Sequence, residues 1–139
     1  MCDSIWHHGL AHKLVQYAFP DFQVKLVLSY LEERSFQVRV GDSISDAREI
    51  KAGVPQGSVW SPTLYNIFVS DIPQDRDVQM AQFADDTLQL TGSSRTPTIV
   101  RRLQRAGTRV SKYFAKWGVQ ENNSKSVAVL FTQKTATRH

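Results

Sequence analysis

Apolar positions at the start of the chain recur at helical spacing. Leu10, Leu14 and Tyr17 stand three or four residues apart, so His8 to Ala18 reads as a helix that Pro20 ends. Asp21 is placed to cap a second helix through about Glu33. The period then changes. Phe36, Val38 and Val40 alternate with Gln37 and Arg39, and Gly41-Asp42 is a turn signal, so a hairpin is expected with Ser43 to Ala52 as the returning strand. After the glycine-bearing loop Gly53 to Ser58, Ser61 caps a third helix with Pro62 at its first position, running to about Asp71. Val78 to Ala84 and Thr87 to Thr91 read as two short strands joined at Asp85-Asp86.

The longest periodic segment comes next. From Thr96-Pro97 to Gly118, Ile99, Leu103, Ala106, Val110, Phe114 and Trp117 form one apolar stripe. The other side carries Arg101, Arg105, Arg109, Lys112 and Lys116, with no acidic residue between Thr96 and Gly118. A last strand is expected over Ser126 to Thr132. Short strands with segregated helices and no regular βαβ alternation indicate an α+β fold on an antiparallel sheet. No internal repeat, low-complexity run or linker divides the 139 residues, which read as one unit.

Composition adds two things. The hydrophobic fraction of 41% and the charged fraction of 22% are those of a folded domain. The charge is unevenly spread: residues 1–86 hold 7 Lys/Arg against 12 Asp/Glu, a net of −5, whereas residues 87–139 hold 10 against Glu121 alone, a net of +9. Such asymmetry suits a polyanion partner, and it equally suits a solvated surface that keeps a domain soluble. The stripe Arg101, Arg105, Arg109 therefore has two readings, a surface that tracks nucleic-acid phosphates or the solvent face of an amphipathic helix. The single cysteine, Cys2, and a start without the layout of a signal peptide point to an intracellular setting, nuclear or cytoplasmic. The longest apolar stretch, around Val24 to Leu31, is interrupted by Lys25, Ser29 and Tyr30, and no membrane role is expected.

Asp85 and Asp86 are the chemistry-bearing pair. Adjacent carboxylates pushed out of a sheet at a turn suit a hard divalent cation such as Mg²⁺, with Mn²⁺ as an alternative. An Asp-Asp pair in a turn is by itself more often a solvated turn. Its context is AGVPQGS, SPTLYNIF and FADD, followed by the tryptophan, asparagine and lysine of WGVQENNSKSVAVLF. In this order and spacing the motifs resemble those of reverse transcriptases from non-LTR retrotransposons, especially insect jockey-like elements.

That resemblance implies an antiparallel polymerase palm-type sheet with helices packed on one face. It implies an RNA-directed DNA polymerase that performs two-metal nucleotidyl transfer, with RNA template, DNA primer and deoxynucleoside triphosphates as partners. Asp85 would be a metal ligand with Asp86 beside it, and Pro55, Gln56 and Gly57 would lie against the template and the incoming nucleotide. Lys125 would stand near the leaving pyrophosphate; a surface lysine beside a strand is the other reading. Cys2 takes the place of the bulky aromatic that excludes a ribose 2′-hydroxyl, Trp60 stands where leucine is usual, and Glu121 replaces an apolar residue. The first catalytic aspartate is expected five residues before Cys2, ahead of Met1. The chain is thus expected to be a palm fragment truncated at its N-terminus, without fingers, thumb or endonuclease, and very weak or inactive as a polymerase by itself. A non-catalytic nucleic-acid-binding relic or a decayed element fragment is the alternative.

Overall fold

The computed structural model describes residues 5–55 and 57–132. Two helices open it, α1 (His7–Gln16) and α2 (Asp21–Leu31). The break between them is a Schellman motif. Phe19 N–H donates to Leu14 O and Ala18 N–H to Val15 O, while Ala18 takes the left-handed conformation at φ 58°, after which Pro20 cannot continue the helix. Pro20 is the N-cap and Asp21 the first helical residue, so Asp21 acts through its charge in the first turn, with no side-chain cap bond.

The expected first hairpin forms as two short antiparallel ladders. β1 (Ser35–Phe36) pairs with β4 (Arg48–Glu49), and β2 (Arg39–Val40) pairs with β3 (Ser43–Ile44) around the turn Gly41-Asp42, where Gly41 sits at φ 61°. Between the ladders, Gln37-Val38 oppose Ser45-Asp46-Ala47, one residue more. This bulge is filled by Ser45, whose Oγ accepts from Val38 N–H at 2.9 Å.

Helix α3 (Ser61–Val69) and helix α4 (Thr96–Lys116) flank a second hairpin, β5 (Gln79–Phe83) with β6 (Asp86–Leu90). Ser61 does not cap its helix as expected; Trp60 holds that position, and Arg95 holds it for α4, which starts at Thr96. The orphan donors at α3 go to an upstream serine, since Ser58 Oγ accepts from Ser61 N–H at 3.2 Å and Trp60 N–H at 3.3 Å. Helix α4 ends as its sequence requires. Gly118 at φ 69° lets Val119 N–H reach Phe114 O at 2.9 Å, and both side chains are buried.

The α+β composition is present, but among the described residues the strands make three separate two-stranded ladders and not one sheet with helices on a face. Residues 126–132, expected as a strand, form no ladder and no helix, and Val127 and Phe131 are exposed. A strand needs a partner edge, and among the described residues none lies beside it. The helices therefore bury their apolar stripes mainly against one another. Leu10 and Leu14 of α1, Val24, Val27 and Leu31 of α2, Leu64 and Phe68 of α3, and Val110 and Phe114 of α4 form one core with Ile5, Val54, Trp117 and Val119.

Lys13 lies inside this core, fully buried. Its ammonium donates to Phe68 O, to Asp71 and to Tyr113 Oη, and lies 4.2 Å from the Trp117 ring centroid, with Phe68 and Tyr113 on its other sides. Desolvation pushes the Lys13 pKa down despite Asp71. Burial would raise the Asp71 carboxyl, but the hydrogen bonds from Lys13 and Tyr113 outweigh it and hold it below the usual range. One cation thus ties α1 to the end of α3 and to α4.

Candidate active site

The β5–β6 ladder runs in register from Gln79 opposite Leu90 to Phe83 opposite Asp86. The turn is therefore Ala84-Asp85, and Asp86 is already a strand residue, one position earlier than expected. Two-residue hairpin turns favour positive φ because it matches the strand twist. Here Ala84 supplies it at φ 49°, where an L-residue's Cβ costs roughly 1–2 kcal/mol. The strain sits beside the two carboxylates. Asp85 and Asp86 are exposed at the outer end of the hairpin.

The loop before α3 is fixed by short-range bonds. Ser61 Oγ donates to Pro55 O and lies 3.0 Å from Ser58 Oγ, while Ser58 N–H donates to Pro55 O at 3.3 Å. Gly57 follows at φ 80°, exposed, a conformation that favours glycine. Upstream, Gly53 N–H donates to Ile5 O and Gly53 O contacts His7 Nε2 at 2.7 Å, so the loop is anchored to the start of α1. His7 thus has a structural use. Gln56 and Cys2 lie outside the described residues. Lys125 ends an exposed 3-10 turn, Asn123–Lys125.

The basic face of α4 is divided. Arg101, Lys112 and Lys116 are exposed. Arg105 instead grips Asp75 with two bonds, Nε to Oδ2 at 2.8 Å and Nη2 to Oδ1 at 2.7 Å, and Nη2 also reaches Asp77 Oδ2 at 2.7 Å. Arg109 adds a bond to Asp75 at 3.4 Å, and Arg102 an ion pair with Asp77 at 3.5 Å. The guanidinium of Arg105 holds the Asp75 carboxyl down to about 2, lowers Asp77 as well, and is itself raised by both. Sequence reasoning missed Asp75, Asp77, Arg102 and Lys13. The signal for the first three was an acidic loop, Asp75-Arg76-Asp77, ahead of a helix with no acid of its own. For Lys13 it was a position on the same helical face as Leu10 and Leu14.

Among the described residues no group of three or more His, Cys, Asp or Glu gathers to hold a metal. Asp85 and Asp86 still suit magnesium in kind, since that ion keeps waters and takes one or two protein carboxylates together with substrate phosphates. The comparison that decides the family covers nearly the whole chain: residues 2–138 match the family described as Reverse transcriptase (RNA-dependent DNA polymerase). The chain belongs to the reverse transcriptase family.

Two relatives of this reverse transcriptase chain come from Drosophila melanogaster. The RNA-directed DNA polymerase from mobile element jockey is 38% identical over 97% of the chain, and the probable RNA-directed DNA polymerase from transposon BS is 38% identical over 96% of it. The chain spans 16% of the length of each. No solved structure matches. No helix among the described residues is long and apolar enough to cross a membrane.

Proposed function

We propose that this stretch supplies two carboxylates, Asp85 and Asp86, to the metal site of an RNA-directed DNA polymerase that copies an RNA template from a DNA primer. The observation that carries the reading is the exposed Asp85-Asp86 pair at the end of a strained hairpin in a chain of this family. A hairpin end gives two hard oxygen ligands while leaving solvent and phosphate access around them. Mg²⁺ held there, with Mn²⁺ as a substitute, would neutralise phosphate charge during nucleotidyl transfer. The hairpin would be part of a palm-type sheet, completed by pairing along its open edges. Pro55 and Gly57, with Gln56 between them, would bound the template and the incoming nucleotide, since Gly57 presents backbone without a Cβ. Lys125 would neutralise the leaving pyrophosphate, and Arg101, on the exposed part of α4, would meet a nucleic-acid phosphate.

The test is Mn²⁺ titration followed by electron paramagnetic resonance, because Mn²⁺ reports its own binding without requiring turnover. Asp85→Asn is expected to weaken Mn²⁺ binding by about 10-fold or more, as loss of a metal ligand does. Equal binding by the two proteins removes Asp85 from the site. Primer extension on an RNA template, compared with Asp85→Ala, tests the polymerase reading itself.

A further inference from the structure

The β5–β6 hairpin has little to hold it in place. Of its ten strand residues only Met80 and Gln89 are even partly buried, so neither face of the ladder packs fully on the helical core. What fixes the hairpin lies at its base. Val78, just before β5, is buried, and Val78 N–H donates to Asp75 O at 3.1 Å. Thr91 Oγ1, just after β6, donates to Asp77 O at 2.7 Å, so the two ends of the hairpin are stitched together.

Helix α4 grips this stitched base from three successive positions on one side. Arg102 Nη1 donates to Gly92 O at 2.9 Å beyond β6, and its Nη2 pairs with Asp77. Arg105 holds both Asp75 and Asp77, and Arg109 reaches Asp75 from the next turn. The Asp75 side chain is only 3% exposed, whereas Arg105 is 44% exposed. Asp75 is therefore the seated partner, and Asp77 N–H also donates to its Oδ1 at 3.0 Å. A bidentate pair defines direction as well as distance, because both guanidinium and carboxylate are planar.

We propose that Arg105, through Asp75 and Asp77, is a positioning residue that sets the direction in which the β5–β6 hairpin carries Asp85 and Asp86. The inference rests on the metal reading of those two aspartates. It reassigns Arg105 from a contact with nucleic-acid phosphate to an internal latch. Geometry supports that reassignment, because three of the donor–acceptor contacts of Arg105 are directed at carboxylates of its own chain. Reacting groups misplaced by an ångström lose much of their rate, so a latch at the base of a lever is a sensitive place to control the site.

The experiment measures direction and metal binding separately in the full 139-residue chain. In a Cys2→Ser background, nitroxides at Thr87→Cys and Lys112→Cys report the hairpin-to-α4 distance by pulsed electron resonance. One narrow distribution is expected. Arg105→Gln is expected to broaden it about twofold, Asp75→Asn to do the same, and the double variant to add little, the mark of two residues acting through one contact. Arg105→Lys, a cation without the planar fork, should restore only part of the width. Mn²⁺ affinity should be unchanged, since both carboxylates sit at one end of the hairpin and move together with it. An unchanged distribution in Arg105→Gln overturns the latch, and so does a double variant whose broadening is the sum of the two single ones.

Asp85→Asn separates the two ideas, since it should weaken Mn²⁺ binding by about 10-fold or more without broadening the distance distribution. If it leaves Mn²⁺ binding unaltered the metal reading fails, while the width alone still decides the latch. Helical circular dichroism checks that α4 persists. If Arg105→Gln does not fold, Asp77→Asn, which removes one arm, carries the same comparison.

Discussion

The core gathered around α1, α3 and α4 buries Leu10, Leu14, Phe68, Val110 and Phe114, whereas β5 and β6 expose Phe83, Leu88 and Leu90 on a ladder anchored by buried Val78 and Asp75 at its base. Each region also contains charge, handled oppositely. In the core a single lysine is sealed among three aromatic rings and one aspartate. At the hairpin base two half-exposed arginines, Arg105 and Arg109, converge on one buried carboxylate, Asp75. Stability resides in the first region and the candidate chemistry in the second. The strained turn at Ala84 can exist on the hairpin because the helices supply the folding energy elsewhere.

That division can be broken from the core side first. Asp71→Ala leaves the Lys13 cation buried without its counterion and is expected to cost about 3 kcal/mol in urea unfolding, the lower end for a broken buried pair. Lys13→Met removes the charge along with its need for a partner, and is expected to cost under about 1 kcal/mol. A similar loss in both would mean that the aromatic pocket, and not the charge, holds the three helices together.

On the hairpin side, Ala84→Gly relieves the left-handed strain and is expected to stabilise the chain by about 1 kcal/mol or less, since glycine also loosens the unfolded state. Acid tests the latch. The folded-state pKa of Asp75 lies near 2, below the ordinary carboxylate value of about 3.9, so its contribution is present above that value and is lost as pH falls from about 4 through 2. Its carboxyl carbon should titrate near 2 by NMR and return toward the ordinary range in Arg105→Gln. The smallest effect is expected for Asp85→Asn, within about 0.5 kcal/mol of the parent in the same urea assay, because an exposed turn residue carries little of the fold.

Much of the architecture was legible. Helix α4 could be read from one stripe, and four of its six apolar residues, Ala106, Val110, Phe114 and Trp117, are buried. The turn Gly41-Asp42 and the helix end at Gly118 follow from glycine at positions of positive φ. The strand over 126–132 was not legible, because alternation describes a strand's faces and says nothing of whether an edge is there to meet it. Asp85 and Asp86 were found through the motif around them. Asp75 was not, since its partner Arg105 lies 30 residues away. Lys13 looked like an ordinary helical lysine because the groups that accept it lie 55, 58 and 100 residues further along the chain.

The seat of Lys13 also has a consequence for chemical reactivity. Burial lowers the pKa of this amine and so favours its nucleophilic neutral form, yet the same burial closes it off behind Phe68, Tyr113 and Trp117. Acylating reagents will reach exposed lysines such as Lys112 and Lys116 directly and Lys13 only when α1 lifts from α3 and α4. Its labelling rate is thus a clock for opening of the helical core, carried by the chain without any added probe.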